Sequence, residues 1–306
     1  MYVPVAFLCV VLVWSTTPLA IVWSNGLGDP LLALFLRMLI ATIIASVVLI
    51  TSRLTLPLHK QAIKLYCYSS LGVFFAMTLS YLSARYISSG MISLMFGLSP
   101  IVSGLLAQKI LKEDPFSRVK MIALSFAIIG LCIIFYNNIN ASLNQSHVNL
   151  SNYLIGLACI TLAVFSFCLS AVLVKTIEIK IHAFSTTIGT LYVSTLLLLL
   201  TWYCFGEMLD DITWSIQALS AISYLGIFGS LVGFVAYYYI LQHLTASSVS
   251  LTTLITPIFA ISLGVIFNNE TISLHLLIGS TLILFALSLY HWGDKWIKRF
   301  SGLGER

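Results

Sequence analysis

The groups in this chain able to hold a metal, relay a proton or attack a carbonyl are few: six cysteines, six histidines and ten acidic residues among 306. Their spacing suits none of those tasks. Cys9, Cys67, Cys132, Cys159, Cys168 and Cys204 stand singly within or beside apolar runs, with no CxxC pair. They read as small packing residues, not as a disulfide framework or a zinc site. No HExxH or GxSxG occurs, and no cluster of His, Asp or Glu shares one depth, so no catalytic residue, metal ligand or cofactor is expected. The histidines fall in loops or at the ends of apolar runs, and no acidic residue lies deep within one. A proton or sodium relay usually keeps a buried acid, so its absence argues against carboxylate-based ion coupling. The exception among ionisable residues is Arg37, which sits inside an apolar run.

The elements that must position Arg37 follow from composition. The chain is 59% hydrophobic and 8% charged, against about 25% charged for a soluble domain. So little charge cannot cover a water-facing surface, and the solvent for most of the chain must be lipid. The net charge of +5 is scattered in short loops, without a basic run interleaved with aromatics, so nucleic acid is not an expected partner. A bilayer core needs about 20 apolar residues per helix. Ten runs of that size occur, at about 3–24, 30–51, 64–84, 88–110, 117–136, 153–174, 183–203, 217–241, 246–267 and 272–292. The first lacks a basic leader and is long enough to span, so it reads as a membrane helix and not as a signal peptide. The longest connection, Asn137–Asn152, is rich in Asn and Ser and has no Lys or Arg.

Orientation follows from the basic residues. With a cytoplasmic N-terminus, 13 of the 15 Lys and Arg fall on the inside, one (Arg85) outside, and Arg37 within a span. The expectation is therefore N-in and C-in, which an even number of spans satisfies. Trp23, Trp202 and Trp214 fall at the outer boundary and Trp292 and Trp296 at the inner one, as an aromatic belt would. Only Trp14 lies mid-span.

The two halves repeat. Pro100 and Pro257 are 157 positions apart, and at that offset Leu94 meets Leu251, Ser99 meets Thr256 and Glu113 meets Glu270. Leu71–Phe74 matches Leu225–Phe228 at an offset of 154, and Trp14-Ser15 matches Phe165-Ser166 at 151. The fold expected is an all-α polytopic membrane protein of ten transmembrane helices, arranged as two inverted five-helix repeats. Five is odd, so the second unit enters the membrane from the opposite side, as in many secondary transporters, which bind solute near the midplane where helices are interrupted. The repeats span 1–140 and 150–293, followed by a basic cytoplasmic tail at 294–306.

Each candidate for the solute pathway has a plain structural alternative. Pro100 and Pro257 each remove a helix hydrogen bond, which membranes tolerate only against protein or a watery cavity. Recurrence in both repeats favours the pathway over a packing kink. Ser99 and Thr256 precede the prolines and would either satisfy freed backbone groups or contact solute. Arg37 would either face a cavity, where it favours a carboxylate or other anion, or snorkel to the outer headgroups about 10 Å away. Trp14, with Phe165 as its repeat mate, would line a cavity or fill the core. Tyr81, Phe96 and Tyr192 are further aromatic candidates. Glu113 and Glu270, at helix ends, read as surface charges with Lys or backbone partners.

Taken in order, these features make the chain resemble the EamA-type permeases of the drug/metabolite transporter superfamily. The resemblance rests on five plus five helices, Trp14-Ser15 early in the first, Arg37 in the second, and the Pro100 and Pro257 helices, each ending in an acidic residue. It covers the whole chain, although Ile188 stands where the second repeat would match Arg37. It implies a permease or exporter of an amino acid, metabolite or drug in a bacterial inner membrane. It also implies a central site walled by helices 1–4 and 6–9, with helices 5 and 10 peripheral. A non-transporting membrane sensor or assembly subunit is the alternative, and it lacks a soluble signalling domain. The expected partners are a small-molecule substrate and the bilayer. The oligomeric state is open, a homodimer included.

Overall fold

Helices in this chain start where the sequence supplies a cap and bend where it withholds a backbone donor. The structure, a computed structural model, describes residues 2–52, 55–144, 150–177, 179, 181–207, 212–249, 252–270 and 273–300. These form helices α1 (Val3–Ser24), α2 (Pro30–Thr51), α3 (Lys60–Ser83), α4 (Ser89–Ile110) and α5 (Arg118–Asn144). The second half gives α6 (Leu150–Lys175), α7 (Ala183–Phe205), α8 (Ile216–His243), α9 (Thr252–Asn268) and α10 (Leu274–Phe300). Asp29 accepts from the Leu31 amide at 2.8 Å to start α2, Ser88 from Met91 at 3.3 Å to start α4, and Ser215 from Ala218 at 3.1 Å to start α8.

Seven of these helices, α1 to α4 and α6 to α8, are each long and apolar enough to cross a membrane. Among the described residues the apolar stretches of α9 and α10, Thr256–Asn268 and Leu274–Tyr290, are shorter. The chain is an all-helical, multi-pass membrane protein. Its outward faces are what lipid wants: Val5, Leu8 and Leu12 form one stripe of α1 and are 56–61% exposed. Two boundaries differ from the sequence reading. α5 runs through the Asn-rich stretch to Asn144, and α10 continues to Phe300 through the first half of the expected basic tail. Residues 145–149 and 301–306 lie outside the described residues.

Packing runs between the two halves of the chain. α1 packs against α8 and α9, α2 against α7 and α8, α3 against α6 and α7, and α4 against α6 and α9. α5 and α10 pack mainly against each other. Their crossing point is glycine on glycine: a Cβ on Gly130 would lie 2.8 Å from the Gly279 carbonyl, and one on Gly279 2.7 Å from the Gly130 carbonyl. Only glycine allows backbones that close.

Two features interrupt otherwise regular helices at matching places. Leu71–Phe75 in α3 and Leu225–Val232 in α8 are wound as π-helix. A π-turn inserts a residue and leaves a carbonyl without its usual partner. In α3 the neighbouring helix meets that need: Ser170 Oγ of α6 donates to the Tyr68 carbonyl at 2.8 Å and lies 3.3 Å from that of Ser69. Gly72 makes the approach feasible, since a Cβ there would sit 2.9 Å from Ser170 Oγ.

Candidate functional site

Where α1–α4 meet α6, α8 and α9, the packing leaves a cavity of about 50 Å³. α1 contributes Trp14, Thr17, Pro18 and Ile21, α2 contributes Arg37, and α3 Met77 and Ser80. Ile92, Ser93 and Phe96 come from α4, Phe167 from α6, Phe234 from α8 and Thr256 from α9. The volume admits a few water molecules, each needing roughly 10–15 Å³ by the same measure. A bound organic solute would require the walls to part, since ligand pockets typically hold about 300 Å³ or more.

The break in α4 shapes one wall. α4 consists of two helical pieces, Ser89–Gly97 and Ser99–Ile110, which meet at Leu98. Pro100 occupies the first turn of the second piece, where a missing N–H costs least. In a continuous helix the Pro100 nitrogen would have served the Phe96 carbonyl. Ser99 Oγ donates to that carbonyl instead, at 2.5 Å. Ser99 therefore supports the bend, and Phe96 is the residue the bend turns into the cavity. Pro100 and Pro257 are themselves buried, and neither lines the cavity. Pro18 lies inside α1, which continues through it, and beside it Thr17 Oγ1 donates to the Val13 carbonyl at 3.0 Å.

Arg37 is 1% exposed and lines the cavity, so the headgroup alternative does not hold. Its Nε donates to Ser230 Oγ on α8 at 2.8 Å. The π-wound segment of α8 makes room for it: a Cβ on Gly226 would lie 3.0 Å from the Arg37 carbonyl, and one on Gly229 3.2 Å from Arg37 Nη2. The guanidinium carbon stands 5.9 Å from the centre of the Tyr81 ring, a cation–π contact. Arg37 Nη1 is buried with no hydrogen-bond partner, as are the hydroxyls of Ser93 and Tyr81. Among the described residues the one ion pair is Arg85–Glu207, 2.9 Å, at the surface. No group of three or more His, Cys, Asp or Glu able to hold a metal occurs among the described residues.

An aromatic cluster closes one end of the cavity. Phe167 meets Trp14 at 5.6 Å, Phe96 at 5.7 Å and Tyr237 at 5.4 Å between ring centres, and Trp14 meets Tyr237 at 5.1 Å. Phe167 also lines a smaller void of about 10 Å³ on its other side, with Ser103, Cys168, Tyr237 and Thr252. It thus divides one line of internal space into two. At the other end, the Glu270 carboxylate accepts from the Ser89 amide at 3.1 Å, the Ser89 hydroxyl at 2.6 Å and the Gly90 amide at 3.3 Å. This ties the end of α9 to the start of α4, an acid at a helix N-terminus. Trp23 Nε1 donates to Asn268 Oδ1 at 3.3 Å close by.

The EamA-like transporter family matches this chain twice, over residues 2–136 and 154–291. The chain belongs to that family. It is 25% identical over 285 residues to the uncharacterized transporter YoaV of Bacillus subtilis (strain 168), covering 92% of this chain and 94% of that protein. It is 24% identical to an uncharacterized transporter of Archaeoglobus fulgidus, covering 90% and 93%. Protein PagO of Salmonella typhimurium is 25% identical, covering 94% of each. A crystal structure aligns with a TM-score of 0.69 at 13% identity over 96% of this chain and 98% of that one, a likeness of fold. Family and relatives make this chain a membrane transporter.

Of the residues singled out from sequence, Trp14, Arg37, Phe96 and Thr256 meet at the cavity, with Tyr81 beneath the guanidinium. Two lie elsewhere. Phe165 is 46% exposed on the outer surface, and Tyr192 is 39% exposed with its hydroxyl 2.9 Å from Ser46 Oγ. Phe167, two positions on and so on the opposite helix face, is the residue that meets Trp14. It follows Trp14 by 153 positions, closer than Phe165 to the 154 of the α3–α8 match, and that offset was its signal. Ser93 and Phe234 carry no comparable mark in the sequence.

Proposed function

We propose that this protein moves a small organic solute across the membrane by alternating access, through the cavity where α1–α4 meet α6, α8 and α9. In this reading all ten helices span, as two inverted units at residues 1–140 and 150–293, with both termini cytoplasmic. Solute binds beside Arg37, Trp14 and Phe96, with Tyr81, Ser99, Pro100, Thr256 and Pro257 shaping and supporting the walls. Phe167 and Tyr237 form the cytoplasmic gate. The Glu270–Ser89 tie and its neighbours close the external side. Exchange between states swaps which end is shut, so a cavity of this size is an occluded form that widens as one end opens.

The observation that carries this reading is the position of the cavity. It is built by helices from both halves of the chain, at the level of the break in α4 and of the prolines inside α1 and α9, Pro18 and Pro257. Its closure by side chains at each end adds support, as do the paired π-turns and the two successive family matches. The test is reconstitution in liposomes with a panel of labelled amino acids, carboxylates and drugs. Saturable counterflow of at least one solute is expected. No saturable flux across the panel contradicts the proposal.

A further inference from the structure

We infer that the cavity selects organic anions: solutes with one carboxylate or sulfonate and an uncharged, apolar remainder. This rests on the transport reading for its location and names the substrate class of that site. A guanidinium stays protonated in any protein environment. Taking it out of water is unfavourable unless an anion and further acceptors compensate. Arg37 is 1% exposed, yet its compensation is neutral: the Ser230 hydroxyl at Nε and the face of Tyr81. Among the described residues Nη1 has no acceptor, and Ser93 on the α4 wall of the same cavity holds a second buried donor without one. One anionic oxygen pair would satisfy both, with charge-assisted hydrogen bonds that are about twice as strong as neutral ones.

The rest of the wall sets the remainder of the solute. Trp14, Phe96, Phe167 and Phe234 supply aromatic faces, and none of the lining residues is acidic. An ammonium group would find no carboxylate here and would meet the repulsion of Arg37. An uncharged tail would bury against the rings. The site therefore ranks an organic acid above the amino acid of the same skeleton, and both above the corresponding amine or amide.

The experiment measures binding to the full-length protein in nanodiscs by calorimetry, so that it does not depend on flux. The probes are phenylacetate, benzenesulfonate and 4-methylpentanoate, each beside its neutral amide, with phenylalanine and phenethylamine as charged controls. At least one acid is expected to bind about tenfold or more tighter than its amide. Arg37→Gln should abolish that difference, and Ser93→Ala should reduce it. Amides or phenethylamine binding as well as the acids overturns the inference, as does no binding by any acid. The wild-type comparison decides even if Arg37→Gln fails to fold. Acid binding without liposome flux would uphold the anion site and count against transport. Flux of a neutral or cationic solute without acid binding would do the reverse.

Discussion

Single side chains in this protein divide into those that touch the cavity and those that hold the backbone around it. Ser99 belongs to the second group, because its hydroxyl replaces the donor that Pro100 withholds from Phe96. Ser99→Ala leaves a buried carbonyl unpaired and should cost about 1–2 kcal/mol, read as a lowered unfolding midpoint in detergent. Replacement by Thr should recover most of it. Phe167 belongs to the first group, and its contrast with Phe165 is a clean control. Phe167→Ala removes the ring that separates the two voids and should at least double the leak of small solutes through reconstituted protein. Phe165→Ala, on the outer face, should change stability by no more than about 0.5 kcal/mol and leave flux unaltered. Equal effects from both would discount the gate. The sequence named Trp14, Arg37 and Phe96 because a mid-span Trp, a mid-span Arg and a residue beside a helix-breaking proline are rare. It misplaced Phe165 because α6 is apolar on every face, and periodicity then says nothing about which side looks inward.

At the scale of elements, the two π-wound segments do what ideal helices could not. One lets α3 hand a carbonyl to Ser170, and the other brings α8 to the guanidinium of α2. Their alignment was legible as the matching Leu-Gly-x-Phe, but their winding was not, since a one-residue shift in backbone bonding has no signature in side-chain type. The break in α4 was legible, because proline and glycine act on the backbone directly. The paired acids were read as surface charges with backbone partners. Glu270 does accept backbone donors, from the first turn of α4, and Glu113 is exposed. Glu270→Ala should cost about 1 kcal/mol as a lost cap. It should also favour the state open at that end, so Ser93→Cys in a protein lacking other cysteines should react faster with an impermeant maleimide. An unchanged labelling rate would make Glu270 a helix cap and nothing more.

For the whole molecule, composition dictated lipid as the solvent, and apolar runs of about 20 residues dictated helices as the spanning form. Length then decided which helices are self-evident spans. Among the described residues seven meet that requirement, and the apolar stretches of α9 and α10 are shorter. The pairing of α5 with α10, apart from the cavity, agrees with what the resemblance implied. The interleaving of the two halves has a mechanical consequence. Both halves contribute walls of the cavity, so in the proposed rocking, movement of one half against the other would change both ends together. In alternating access, a residue at the cavity is reachable from each side in turn, and never from both at once. The most direct test places a single cysteine at Ser93 in reconstituted protein of known orientation and measures labelling from each side, with and without a transported solute. Labelling from both sides in exchanging populations is expected, with protection when solute is saturating. Reaction from one side alone, whatever the solute, would contradict it.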